Sequence, residues 1–293
     1  MTPHRIWTVG AAILGVAVLC IAGGLMGAWV RHRQVLPQPP VMTVRFLDLS
    51  DGDCAVIHTP DDRFILIDAG GSRSDGEVTT ALRDMGAKQI DLLILASADD
   101  SGIGGVAALL RSGLPIRSVW TNNIEDDSER DRVIADMDNE RIPMRTVYAG
   151  LWQRIGTSRM QITAIWPPEH GFRARNDALV CRIDYGTQSC LFLGPLSESG
   201  EPYLISGAAD RLKADVMQVT DHGDGGATSL ELLHSAKPEI AVVACDAGRP
   251  PAPAAMQRLQ AAGASTWRTD KQGMVTVTLD MTANGPNVTG SRL

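Results

Sequence analysis

The stretch from Val44 to Gly71 reads VRFLDLSDGDCAVIHTPDDRFILIDAGG, and it decides the fold. Apolar and β-branched residues in short runs bounded by turn formers are typical of strands. We therefore predict strands at Met42–Leu49, Cys54–Thr59 and Phe64–Asp68. The sequence Ser50-Asp51-Gly52-Asp53 predicts the turn that joins the first two strands.

Downstream of this stretch the predicted elements alternate in type. Apolar runs predict strands, and amphipathic runs that end near glycine predict helices. The predicted strands are Leu92–Ala96, Ser118–Thr121, Met160–Ile165, Ala178–Tyr185, Gln188–Leu193, Ala214–Val219, Ile240–Ala244 and Met274–Leu279. The predicted helices are Glu77–Met85, Val106–Arg111, a segment within residues 125–141, Ser229–Ser235 and Ala254–Ala262. Hairpins with strand–helix units between them indicate an α/β domain with two mixed sheets and helices outside.

A stretch without charged residues, Trp7–Val30, precedes the domain. As a helix it would be about 36 Å long, enough to cross a hydrocarbon core of about 30 Å. It is longer than the apolar region of a cleaved signal peptide, about 7–15 residues, so we predict one uncleaved transmembrane helix. The predicted divisions are an anchor at residues 1–33, a linker at 34–41, the domain at 42–282 and a flexible tail at 283–293.

The charge is distributed unevenly along the chain. The 293 residues hold 27 basic and 34 acidic side chains, for a formal charge of −7. Residues 1–40 contain three arginines and no acid, so residues 41–293 hold 24 basic against 34 acidic side chains, a charge of −10. Because so acidic a body repels phosphate backbones, we expect no direct nucleic-acid binding. The expected partners are the membrane, through residues 7–30, and other proteins.

Four cysteines lie in the predicted domain: Cys54, Cys181, Cys190 and Cys245. Cys181 and Cys190 flank the hairpin turn predicted at Tyr185-Gly186, where they could face each other. Two buried free thiols on apolar strand faces are the interpretation that we favour.

The opening stretch resembles the start of the metallo-β-lactamase-like domain of ComEC-type DNA-uptake proteins. In that group, Phe-Leu-Asp-Val-Gly-Gln-Gly-Asp leads into a strand that ends in Ile-Asp-x-Gly. Four more segments resemble this domain in the same order: IDLLILASADDSGIGGV at 90–106, ARNDALVCRIDYGTQSCLFLGPLSE at 174–198, ADVMQVTDHGDGGATS at 214–229, and residues 237–277. The resemblance covers about Met42 to Leu279 and implies a four-layer αββα sandwich, in agreement with the predicted elements.

The resemblance also locates the positions at which that family binds metal. Its histidines and carboxylates hold one or two zinc or manganese ions, which generate hydroxide from water. The motif H-x-D-x-D-H falls on Ser97–Gly102, the metal-bridging Gly-Asp falls on Gly194-Pro195, and His-His-Gly-Ser falls on Asp221–Asp224. A late histidine before proline falls within Gly248–Pro251, which contains none. The remnant site implied is Ser97, Asp99, Asp100, Ser101, Gly102, Pro195, Asp221 and His222.

Loss of most ligand side chains predicts a pseudo-enzyme: a membrane-anchored binding or assembly module with no catalytic residue and no cofactor. The alternative is a hydrolase of phosphodiester or related bonds, with zinc or manganese on Asp99, Asp221 and His222 and with Asp100 replacing a missing carboxylate. A serine hydrolase would need Ser97 within hydrogen-bond reach of His222. We interpret Asp68 as a structural loop residue. The resemblance favours a domain that faces outward at the cell membrane, a direction that the flanking arginines do not decide.

Overall fold

The computed structural model describes residues 41–122, 128–157, 159–169, 178–246 and 248–292. The opening stretch forms three antiparallel strands, β1 (Val41–Phe46), β2 (Ala55–His58) and β3 (Phe64–Ile67). Side chains alternate along β1, so that Met42, Val44 and Phe46 are buried between the sheets. The predicted strands of this stretch are confirmed, with shorter bounds.

The first sheet has eight strands among the described residues, in the order β15-β14-β1-β2-β3-β4-β5-β6. Its further members are β4 (Leu92–Leu95), β5 (Val119–Thr121), β6 (Met144–Thr146), β14 (Val275–Asp280) and β15 (Asn287–Gly290). Strands β3 to β6 run parallel, and the others pair antiparallel. Because parallel strands end at the same edge, β3 and β4 deliver Asp68 and Ser97 to one end of the sandwich.

The second sheet has seven strands among the described residues, in the order β13-β12-β11-β10-β9-β8-β7. Its members are β7 (Trp152–Arg154), β8 (Met160–Trp166), β9 (Val180–Tyr185), β10 (Gln188–Phe192), β11 (Val216–Gln218), β12 (Ile240–Val243) and β13 (Ser265–Arg268). Strands β10 to β13 are parallel. Their carboxyl ends lead into the loops that carry Pro195, Asp221 and Cys245.

Helices cover the outer face of each sheet. They are α1 (Glu77–Asp84), α2 (Asp100–Ile103), α3 (Val106–Arg111), α4 (Ser128–Asn139), α5 (Glu201–Leu212), α6 (Leu230–Ala236), α7 (Pro253–Ala261) and α8 (Thr269–Gln272). Leu82, Leu109 and Met137 of α1, α3 and α4 pack on the first sheet. Leu204 and Leu232 of α5 and α6 pack on the second. A third apolar cluster fills the space between the sheets. The predicted helix–sheet–sheet–helix order is therefore confirmed.

The elements α2, α5, α8, β6, β7 and β13 were not predicted from the sequence, and two expectations differ from the structure. Asn287–Gly290, predicted to lie in a flexible tail, forms β15 instead, because its backbone completes a ladder with β14. Cys181 and Cys190 do not face each other: the hairpin register places Cys181 opposite Phe192 and Cys190 opposite Ile183. Cys181 and Cys190 are buried free thiols, as we favoured, and so are Cys54 and Cys245.

The predicted anchor and nearly all of the predicted linker lie outside the described residues. Within the residues that are described, no helix is long and apolar enough to cross a membrane.

Candidate functional site

The loops that carry the predicted remnant site meet at one edge of the sandwich. Backbone hydrogen bonds join them: Asp53 N–H donates to the Ser101 carbonyl at 3.0 Å, and Asp221 N–H donates to the Gly194 carbonyl at 3.2 Å. A Cβ atom built on Gly194 would lie 3.4 Å from Ala96 Cβ, at the start of the loop after β4. The structure thus brings together the segments around residues 97–102, 194–195 and 221–222.

The loop after β4 is packed so tightly that it has no room for a side chain at position 102. A Cβ atom built on Gly102 would lie 2.4 Å from Ser97 Cβ, 2.5 Å from Ser97 Oγ and 2.8 Å from Asp68 Oδ1. Contacts under 3.0 Å are essentially never seen for a real Cβ atom. The position that matches a family histidine therefore accommodates only glycine in this arrangement of the loop.

The carboxylates of this loop are engaged within the loop or with its neighbour. Asp99 is exposed and accepts a hydrogen bond from Ser101 Oγ at 2.6 Å. Asp100 accepts hydrogen bonds from the backbone N–H of Ser72 at 3.2 Å and from its hydroxyl at 3.1 Å. Asp100 thereby ties the start of α2 to the adjacent loop, which is a structural role.

The second group of candidate residues follows β10 and β11. Pro195 is half-buried and has no side-chain donor or acceptor. Asp221 and His222 occupy a short 3₁₀ turn with left-handed backbone angles, φ 43° and 52°. The His222 Nδ1–H donates to the Ala244 carbonyl at 2.9 Å, which fixes the tautomer and leaves Nε2 as the other ring nitrogen.

His222 is surrounded by carboxyl groups that favour its protonated form. Burial alone would lower the pKa of His222, but Asp53, the Ala244 carbonyl and Asp221 outweigh burial and raise it. Burial raises the pKa of Asp221, against the influence of His222.

Asp53 is a central member of the site. The sequence analysis treated it only as a turn residue. Its carboxylate is buried and accepts a hydrogen bond from Gln218 Nε2 at 2.6 Å. Burial raises its pKa against the lowering influence of His222, and Asp99 and Asp221 raise it further. The Gly-Asp pair in the family's opening motif was the signal that could have identified it. Gln218 carries no such signal, because a single glutamine at a strand end is common on structural grounds alone.

Asp68 has the structural role predicted for it. It is buried with φ 60°, and its Oδ1 accepts hydrogen bonds from the backbone N–H groups of Ala96 at 2.8 Å and Ser97 at 3.1 Å. Burial raises the pKa of Asp68 well above its ordinary value, and the nearby Asp53 raises it further. Its side chain joins the end of β3 to the end of β4.

The residues present do not fit the family's metal ions. Among the described residues, no three His, Cys, Asp or Glu side chains converge in a way that could hold a metal. A catalytic zinc ion needs three protein ligands and a water. A serine hydrolase is equally unsupported, since the hydroxyl of Ser97 points to Asp68 Oδ2 at 3.5 Å and the ring of His222 bonds to Ala244.

A cleft of about 910 Å³ opens above these loops. His222 and Ser101 contribute to its base, and both charge signs line its walls. The lining includes the carboxylates of Asp48, Asp51, Glu77, Asp246 and Asp270 and the guanidinium groups of Arg73, Arg249 and Arg292. The cleft therefore presents charged groups of both signs to any ligand that enters it.

Solved structures with the same architecture identify the class of fold. The chain is similar to the metallo-β-lactamase fold protein YhfI from Bacillus subtilis, with 12% identity and a TM-score of 0.50 over 78% of this chain and 95% of that one. It is also similar to CmlA, a diiron β-hydroxylase from Streptomyces venezuelae, with 13% identity and a TM-score of 0.53 over 83% of this chain and 54% of that one. The chain therefore has a metallo-β-lactamase fold.

Curated proteins add a closer relationship in sequence. The chain is 25% identical over 252 residues to ComE operon protein 3 of Bacillus subtilis (strain 168), covering 79% of this chain and 32% of that protein. It is 24% identical over 271 residues to the uncharacterized protein YcaI of Escherichia coli (strain K12), covering 88% and 32%. It thus spans about a third of the length of these curated relatives. No protein-family model matches the chain. This is a metallo-β-lactamase-fold protein related to ComE operon protein 3, and the resemblance seen in the sequence is confirmed.

Proposed function

We propose that this protein is a non-catalytic relative of metal-dependent hydrolases, kept as a binding or assembly module at the membrane. The position of Gly102 is the observation that carries the proposal. In the family, the matching position holds a metal ligand, whereas here Ser97 and Asp68 fill the space that any side chain at position 102 would need. Side-chain packing therefore occupies the place in which the family has a metal ligand.

The other positions support the same conclusion. Pro195 offers no ligand atom, and Asp100 is bonded to Ser72. The carboxyl group of Asp68 accepts hydrogen bonds from the backbone N–H groups of Ala96 and Ser97, so it is engaged within the fold. The domain is therefore expected to be stable without a metal ion.

A hydrolase with a rearranged site is the second candidate, and one observation favours it. Asp53, Asp99 and Asp221 lie close enough to influence one another's protonation, and His222 lies beside them. Such a group could supply ligands after a movement of the loop that carries Asp99. Asp221 and His222 would then be metal ligands, as in the hydrolase alternative considered from the sequence.

An assay for phosphodiester hydrolysis distinguishes the non-catalytic module from the hydrolase. We expect the full chain, purified in mild detergent, to give no metal-stimulated cleavage of bis(p-nitrophenyl) phosphate with zinc, manganese or magnesium. The Asp221→Ala variant is the matched control, and its background rate should equal that of the wild type. Cleavage by the wild type that depends on metal and is lost in Asp221→Ala would overturn the proposal and support the hydrolase.

The membrane setting forms part of the same proposal. The uncharged stretch at residues 7–30 supports a single-pass anchor in the cell membrane, and the family resemblance in the sequence favours a domain that faces outward. The charge of −10 on residues 41–293 favours protein partners over nucleic acid.

A further inference from the structure

Two clefts adjoin along the side of the candidate site. The first is the cleft of about 910 Å³, and the second measures about 580 Å³. They share Asp48, Leu49, Glu77 and Arg292 as a common wall. Together they form one elongated depression, here called the acidic groove, that runs from His222 to the outer end of α1.

The acidic groove has a helix face along one side and apolar residues at its base. Glu77, Thr80, Ala81 and Asp84 of α1 line it at helical spacing, so they project from one face of that helix. Leu47, Leu49 and Met274 lie beneath. An apolar base with polar sides suits an extended peptide with long basic side chains. The methylene groups of these side chains would contact the base, and their charged head groups would reach the walls.

The walls carry a negative excess. The lining carboxylates are Asp48, Asp51, Asp75, Glu77, Asp84, Asp246 and Asp270, against the guanidinium groups of Arg73, Arg249 and Arg292. Some carboxylates already have ion-pair partners: Arg292 for Asp48, Arg73 for Asp51, Arg111 for Asp75 and Arg268 for Asp270. Within the part of the chain that the structure describes, Glu77, Asp84 and Asp246 form no ion pair. Glu77 accepts hydrogen bonds from the backbone N–H of Ser50 at 2.9 Å and from its hydroxyl, and Asp246 accepts them from the backbone N–H groups of Gly248 and Arg249, but none of these donors carries a charge at the bonding atom. The groove therefore has room for additional positive charge.

The chain places one of its own arginines in the groove. The guanidinium of Arg292 bonds to Asp48. Its backbone N–H donates to the Gln272 carbonyl at 2.8 Å, so it continues the course of β15. Burial raises the pKa of Asp48, and Glu77 and Asp270 raise it further although Arg292 lowers it. A guanidinium thus already fits between these walls, and carboxylates remain crowded around it.

We propose that the acidic groove binds an extended segment of a partner protein that carries arginine or lysine side chains. This inference rests on the proposed function, because it specifies what the binding module recognises. Guanidinium or ammonium groups of the partner pair with Glu77 and Asp84, and its stem carbons pack over Leu47 and Leu49. Arg292 competes with the partner for Asp48.

Fluorescence anisotropy of a labelled peptide of alternating arginine and glycine tests this proposal on the full chain. We expect saturable binding that weakens with salt, because the contacts are exposed ion pairs. Asp84→Asn and Glu77→Gln should each weaken binding about threefold, and Arg292→Gln should strengthen it about threefold. Asp210→Asn, an equal change of charge at an exposed position of α5, should leave binding unchanged.

Three results would overturn the proposal: no binding of the arginine peptide, equal binding of a peptide with glutamate in place of arginine, or equal loss in Asp210→Asn and Asp84→Asn. Preference for duplex DNA over the peptide would overturn it as well. Failure of peptide binding leaves the absence of hydrolysis untouched, so failures of this inference and of the proposed function are distinguishable.

Discussion

Replacing Gly102 by alanine is expected to lower the free energy of unfolding by about 3 kcal/mol. The new methyl group would lie 2.4 Å from Ser97 Cβ, within a loop whose backbone is tied to both neighbours. Ala69 N–H donates to the Gly102 carbonyl at 2.6 Å, and Gly105 N–H donates to the Gly70 carbonyl at 2.8 Å. The loop cannot move without losing these hydrogen bonds. The steric overlap between the new methyl group and Ser97 therefore destabilises the folded protein. Urea denaturation followed by circular dichroism measures the effect.

Gly225→Ala is the matched control for this substitution. A Cβ atom there would lie 3.4 Å from Ala252 Cβ, an ordinary contact, so the change should cost under about 1 kcal/mol. Adding Ser97→Gly to Gly102→Ala should recover part of the loss, because it removes two of the three close contacts. If Gly102→Ala is as stable as the wild type, the loop is open and a ligand at this position is sterically permitted.

Asp68→Ala is expected to cost about 3 kcal/mol, the second large effect. The substitution leaves the buried N–H groups of Ala96 and Ser97 without their acceptor. It also places alanine at φ 60°, where asparagine and aspartate are far better tolerated. Asp68→Asn keeps the acceptor oxygen and the backbone preference, so it should fold with near-normal stability at neutral pH.

The pH dependence of the Asp68→Asn variant tests the protonation state directly. The pKa of Asp68 is raised in the fold by burial and by Asp53, while in the unfolded chain the carboxyl titrates near about 3.9. The folded protein then binds more protons above that pH, so the wild type loses this contribution as the pH rises toward the raised pKa. The stability of Asp68→Asn relative to the wild type should therefore increase from about pH 4 to about pH 7.

Urea titrations of both proteins across that range give the difference. A difference that does not change with pH across that range would mean that the pKa of Asp68 is not raised in the fold. A nearby bound cation would have that effect, so this result would also count against the pseudo-enzyme.

The elements that were predicted well from the sequence are those whose local residue pattern is sufficient to indicate a strand or a helix. Strands β2, β3 and β4 are buried on both faces or nearly so, and their continuous apolar runs indicate strands without help from the rest of the fold. The meeting of Ser97, Pro195 and His222 at one edge followed from a resemblance in five ordered segments. That order fixes which strand ends are neighbours.

The elements that were missed depend on partners far along the chain. Strand β15 is mostly exposed and polar, and it forms because its backbone pairs with that of β14. Helix α5 contains Gly207 and a kink at Ala208, which break its helical pattern, yet Leu204 and Leu212 are buried against the second sheet. The hydrogen bond between Gln218 and Asp53 was missed because it joins residues 165 positions apart. No local pattern reports such a contact.

Metal content of the purified full chain tests the central claim most directly. Elemental analysis after purification without chelators, and again after incubation with zinc or manganese and gel filtration, should give far less than one metal ion per chain. His222→Ala should give the same value as the wild type. Near-stoichiometric zinc or manganese in the wild type, lost in His222→Ala, would contradict the account.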